Sequence, residues 1–249
     1  MSQALVPRQR PVPAVVPLLL SFTAGFVDSC TALALFGLFV AQVTGSFVLA
    51  AVAFVTHEQG AATKVLAIPV FLSAAVATTA LAVIVEGRGR SALSWSLGLE
   101  CAALTAFFIA ALAGAPLSDP NAASVIAASL SGLFAMGTQS ATVRLLLRNV
   151  ASTNVMTTNT TQIAIDATEL FLAWLARRRQ NDAVTAEAFE RSRARFAGLF
   201  PIILGFLLGT AAGTLAYVVT GLWGLLLPLA IMYGIFAWSS AFPRADQPS

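Results

Sequence analysis

Long apolar runs dominate the chain, and short polar stretches interrupt them. A helix that crosses a bilayer needs roughly 20 mostly apolar residues. Six segments meet that requirement: 14–39, 65–86, 93–114, 122–144, 196–219 and 221–241. Two further segments fit less well. Residues 47–57 are apolar but short, and residues 158–176 are long enough but carry Asp166 and Glu169. Pro7, Pro11 and Pro13 mark an irregular lead-in. Arg8 and Arg10 before the apolar stretch give that region the layout of a signal peptide. The run continues for about 25 residues and contains Asp28, so it is read as a retained first helix.

The placement of charge decides how the two weaker segments are used. Cytoplasmic loops carry an excess of Lys and Arg. If all eight segments cross and the N-terminus is inside, ten of the basic residues lie inside and four outside. If segments 47–57 and 158–176 do not cross, thirteen lie inside and only Lys64 lies outside. The second split is the more polarised. It predicts six crossings, both termini cytoplasmic, and a cytoplasmic basic loop at 177–195.

An internal repeat sharpens this architecture. Phe22-x-x-Gly25 is echoed by Phe134-x-x-Gly137, and Val43-Thr44-Gly45-Ser46 by Met156-Thr157-Thr158-Asn159. Pro69, Ser73, Ala77 and Thr78 match Pro201, Gly205, Gly209 and Thr210 at identical spacing. Three crossings per half is an odd number, so the halves must point in opposite directions. The predicted fold is therefore an all-α integral membrane protein forming one domain. It has six transmembrane helices as a 3+3 inverted repeat (about 14–114 and 122–241), with two short non-crossing or re-entrant segments. Carriers recurrently use inverted repeats with interrupted helices. A broken helix frees backbone N–H and C=O groups that hydrocarbon cannot satisfy, so each break must face protein or a wet cavity.

The motifs Gly25-Phe26-Val27-Asp28, Val43-Thr44-Gly45-Ser46 and Met136-Gly137-Thr138-Gln139-Ser140-Ala141-x-x-Arg144 resemble the YoaK-like family of bacterial membrane proteins. The likeness runs from about residue 15 to 240. It implies a membrane fold and a location rather than an activity. In that pattern the first break reads Met-Thr-Gly-Asn and the second Thr-Gly-Thr, so Ser46 and Thr158 are departures. So is Ser140, which stands where the pattern has asparagine.

Composition removes several functional classes. The chain has 249 residues, 58% hydrophobic and 10% charged, against about 25% charged in soluble domains. Mean hydropathy is +0.84. Cys30 and Cys101 lie inside apolar runs and His57 is the only histidine. No HExxH, CxxC, P-loop or GxGxxG is present. Neither metal nor cofactor is expected, and an intramembrane enzyme lacks a His/Glu cluster or a Ser/Lys dyad. The basic segment is explained by topology and anionic lipid, not by nucleic acid.

Candidate site residues are the polar groups that membrane segments should not carry without cause. Asp28 sits near the middle of the first crossing, where a carboxylate costs at least ~2.5–3.5 kcal/mol. It suits proton coupling or solute binding, or else an interhelical hydrogen bond. Gln139 and Ser140, with Thr138 and Thr142, form the matching polar cluster of the fourth crossing. The breaks Thr44-Gly45-Ser46 and Thr157–Thr161, including Asn159, should begin helices whose positive ends suit an anion. They are equally good N-caps. Gln162, Asp166 and Glu169 share one helix face, read as solvated, with Ile163, Leu170 and Trp174 opposite. Glu100 is expected either to pair with an arginine such as Arg144 or to reach the interface. His57 and Glu58 read as a solvated loop pair. Gly205, Gly209 and Gly213 form a close-packing stripe, within the bundle or at the seam of a homodimer.

The favoured expectation is an inner-membrane carrier for a small polar or anionic solute, proton-coupled through Asp28. The alternative is a non-transporting scaffold or stress-associated protein. That alternative predicts Asp28 bonded to Gln139 and no cavity.

Overall fold

The computed structural model describes residues 9, 11–57, 59–179 and 183–241. Pro7, Arg8, Arg10, Glu58 and Arg244 lie outside the described residues. Among the described residues the fold is helical with no strand. The elements are α1 (Val15–Ala34), α2 (Val43–Thr56), α3 (Ala61–Gly87), α4 (Ala92–Ala113), α5 (Ala123–Leu146), α6 (Met156–Arg179), α7 (Ala183–Thr220) and α8 (Leu226–Ala241), with a 3-10 turn (Gly221–Leu225) joining the last two. Four helical stretches are long and apolar enough to cross a membrane: α1, α3, α4 and the continuous stretch Ala183–Ala241. This is the make-up of a helical membrane protein.

Several expected boundaries move, each for a local reason. The first apolar run, expected to be helical over 14–39, stops at Ala34. Phe36 and Gly37 adopt φ values of 55° and 79°. Gly37, which has no Cβ, tolerates this turn, and its N–H donates to Ala32 O at 3.1 Å, closing the helix end. The expected loop 177–195 is largely helical. Arg177–Arg179 finish α6, and α7 already starts at Ala183. Glu187–Arg191 (3.9 Å) and Glu190–Arg193 (3.4 Å) pair along the helix, and such pairs favour helix over loop. Segment 158–176 is not short either, because α6 runs for 24 residues. Its polar character, not its length, keeps it out of the set of apolar crossers.

α1 lies along α7, and α5 lies along α3 and α4. Beside these, α2 packs on α3, α6 on α7, and α4 on α8. Phe26, Leu97, Leu104, Phe107, Met136 and Met232 fill the core. The α1–α7 seam is the closest. Gly205, Gly209 and Gly213 face the carbonyls of Leu18, Phe22 and Phe26, which places the stripe inside the bundle, against α1. Ser21 Oγ donates to Ile202 O at 2.6 Å, and Ser29 Oγ to Thr210 O at 3.0 Å. Such side-chain-to-backbone bonds need backbones this close. In the other seam Gly137 is the close-approach residue: a β-carbon there would lie 2.8 Å from Ala74 Cβ and 2.9 Å from Phe71 O.

Candidate functional site

Two non-helical connectors build the site. Each leaves a helix and folds back beside it. The first, residues 35–42, returns along α1, so that Ala41 N–H donates to Asp28 Oδ1 at 2.6 Å. The Val40 and Gln42 N–H groups face the same carboxylate. Asp28 is 3% exposed, and its Oδ2 has no partner. The second connector, residues 147–155, turns at Asn149 with φ 57° and returns along α5. Gln139 Nε2 donates to Thr153 Oγ1 (3.0 Å), to Asn154 Oδ1 (3.3 Å) and to Leu20 O of α1 (3.0 Å). Thr153 Oγ1 donates to Asn154 Oδ1 at 2.9 Å, and Asn154 Nδ2 to Met136 O at 3.3 Å. In the first connector a buried carboxylate thus takes a backbone N–H that no helical ladder uses, and in the second the side chains bond to one another and to α1 and α5.

Between the connectors lies a cleft of about 300 Å³. Its polar lining is Gln42, Thr44, Ser140, Arg144, Asn154 and Thr157; Phe71 and Ala75 of α3 supply part of its apolar wall. The first turns of α2 and α6 both contribute to it. Their free N–H groups place two positive helix ends at the cleft. Arg144, exposed to solvent, is the charged side chain of the lining. The arrangement is electropositive and rich in donors. It can hold a small anion or a carboxylate without forming a covalent bond.

The expected residues divide into three groups. Thr44, Ser140 and Thr157 meet at the cleft. Asp28 and Gln139 stand behind it, each holding its own connector, and are not bonded to each other. Gly45 is half-buried, with its α-carbon side toward the Phe39 ring. Ser46 and Asn159 are buried anchors: Ser46 Oγ donates to Phe39 O at 2.9 Å, and Asn159 Nδ2 to Ser152 O at 2.7 Å. The breaks expected at Thr44–Ser46 and Thr157–Thr161 are therefore the opening turns of α2 and α6. The irregular chain lies just before them.

Two expectations about the charged groups, and one about their apolar neighbours, are corrected. Glu100 is fully buried and neither of its oxygens has a hydrogen-bond partner, so the pair with Arg144 does not form. Asp166 is not on a solvated face. It is 2% exposed and accepts from Arg195 Nε at 3.2 Å and from Gln162 Nε2 at 3.0 Å. Arg195 also binds Glu169, so this acidic pair ties α6 to α7. Ile163 and Leu170 flank Asp166 on that buried side rather than lying opposite. Four residues that shape the site were not singled out for it: Gln42, Arg144, Thr153 and Asn154. Their signal was position, since each lies within a few residues of a connector or in the Met136–Arg144 motif.

A family described as "Protein of unknown function (DUF1275)" matches residues 16–238. The chain belongs to the DUF1275 family. No curated protein and no solved structure matches it. The matched span holds both connectors and the whole cleft, so the site belongs to the DUF1275 domain itself.

Proposed function

We propose that this DUF1275 protein is an inner-membrane carrier for a small polar or anionic solute, bound in the cleft between the two connectors. The observation that carries the reading is the cleft itself: Thr44 and Thr157, from corresponding helix starts, face one cavity with Ser140 and Arg144. Binding a solute there would draw on two helix N-termini and one guanidinium. A 3+3 inverted repeat supports the same reading. The exchange of partners, α1 with α7 and α5 with α3, is what two oppositely oriented halves produce. In this scheme α1, α3, α4, α5, α7 and α8 cross, α2 and α6 do not, and both termini face the cytoplasm. The likeness to YoaK-like membrane proteins agrees with the location and assigns no activity. The single-domain organisation, the absence of enzyme chemistry and a lipid-embedded, optionally homodimeric assembly belong to this reading too.

The full chain in proteoliposomes tests it. Uptake of labelled chloride, phosphate, acetate and lactate is measured with an outwardly preloaded gradient. At least one anion should be taken up, and Arg144→Gln should weaken its apparent affinity by roughly tenfold or more. Loss of a charge-assisted hydrogen bond costs about 1.5–3 kcal/mol, and 1.4 kcal/mol is a factor of ten. Rates equal to empty liposomes for every anion would remove the carrier reading. The scaffold alternative expected a bond between Asp28 and Gln139, which does not form, and a closed core, which the packed interior provides.

A further inference from the structure

Glu100 is a buried carboxyl that the cleft does not use. Its height in the bundle follows from α4 and α5. The two helices are antiparallel neighbours: Gly114 meets Ser124 at one end, and Gly132 faces the Phe107 ring further along. One heptad back from Phe107 on α4 is Glu100, and one heptad on from Gly132 in α5 is Gln139. Equal residue counts give equal rise along both axes. A heptad returns nearly to the same helix face, drifting by about 20°. Glu100 and Gln139 therefore lie at one level on facing sides, and both are fully buried.

Their hydrogen bonding is complementary in one respect only. Gln139 spends its Nε2 hydrogens on the second connector and on Leu20, and its Oε1 has no partner. Both Glu100 oxygens also lack partners. Two acceptors cannot satisfy each other, but a carboxylic acid can donate to an amide oxygen. Within about a turn of the pair, Ser96, Thr138 and Thr142 hold three more buried, unpartnered hydroxyls, which give an admitted water places to bond.

We propose that Glu100 is the protonation site of the carrier, its O–H donating to Gln139 Oε1 and so linking one proton to the position of the second connector. On release, the proton passes to water admitted beside Ser96, and the O–H bond is replaced by a carboxylate. The Gln139 amide then loses its donor, and its hold on Thr153 and Asn154 loosens at the wall of the cleft. Asp28, the other buried acid of this region, differs in that one oxygen already holds Ala41, while its second oxygen has no partner. The groups around Glu100 leave it without a fixed counter-charge. On α5, Arg144 is exposed at the cleft. On α3, Lys64 and Glu86 sit near opposite ends. On α8, Tyr233 bonds to Thr105, and on α4 itself the neighbour is Cys101, buried as a free thiol. The 3-10 turn carries no titratable residue.

The proposal rests on the carrier reading for its purpose, but its test needs no solute. The infrared carbonyl band of a protonated carboxylic acid is recorded on the full chain in lipid vesicles near neutral pH. With Asp28→Asn as background, which removes the other buried acid, the band should be retained, and it should be lost when Glu100→Gln is added. A band unchanged by that addition overturns the assignment. Glu100→Asp, which keeps the acid and displaces the band, answers the question should the Gln variant not be recovered. For the coupling, Val155→Cys on the second connector is labelled with a thiol reagent over a pH series. Labelling should rise severalfold where the band disappears, and stay flat when Glu100→Gln is added. A flat profile with Glu100 present overturns the link. Failure of anion uptake with both results intact removes the carrier reading alone.

Discussion

The two connectors do the same job with opposite economies of bonding. The first depends on one side chain: Asp28 gathers the N–H groups of Val40, Ala41 and Gln42. The second is held by a mesh in which Gln139, Thr153 and Asn154 bond to one another and to two helices. A single acceptor fixes a short backbone curve tightly, and nothing replaces it when it is lost. A mesh tolerates the loss of one member and can loosen in stages. The first connector therefore has the character of a fixed wall of the cleft, and the second that of its adjustable wall.

Four substitutions break or sharpen this contrast, read as unfolding free energy in detergent. The largest effect should come from Asp28→Leu, which strands buried N–H donors and should cost about 3 kcal/mol, the upper end for a buried group left unpaired. Asp28→Asn keeps an acceptor and should recover most of that loss. Gln139→Leu comes next, at about 2 kcal/mol, because interhelical hydrogen bonds in membranes average ~0.6 kcal/mol each and Asn154 keeps its bonds to Thr153 and Met136. Thr153→Val should be the mildest, near 0.6 kcal/mol, with measurable coupling to Gln139→Leu in a double-mutant cycle. Equal costs for Asp28→Leu and Thr153→Val would erase the distinction.

Most of the helical plan was legible because it depends on apolar length, which the sequence displays directly. The starts of α2 and α6 were visible as Thr44 and Thr157, although the sequence alone did not say that they line one cleft. The connectors were misplaced by a few residues. Apolar residues such as Leu35, Phe36 and Leu38 continue the run of α1 without a polar signal, and the chain turns at Gly37 for backbone reasons. The roles of Asp28 and Gln139 were harder to read. Whether a buried polar side chain faces a solute or a neighbouring backbone depends on what folds back onto it, and that is a long-range property. Asp166 shows the same limit, since its partner Arg195 lies 29 residues away on α7.

The stripe of Gly205, Gly209 and Gly213 has a mechanical consequence. Its members recur every fourth residue, and so do the carbonyls of Leu18, Phe22 and Phe26 on which they rest. Between these notches the α7 face carries side chains that cannot sit against backbone. The seam therefore behaves as a row of detents. Small slides are resisted, and the next comfortable position is one helical turn away, about 5.4 Å. A molecule built this way would move α1 and α7 together as one beam, or by a full click, and any gentler motion would have to be found along α3 and α5.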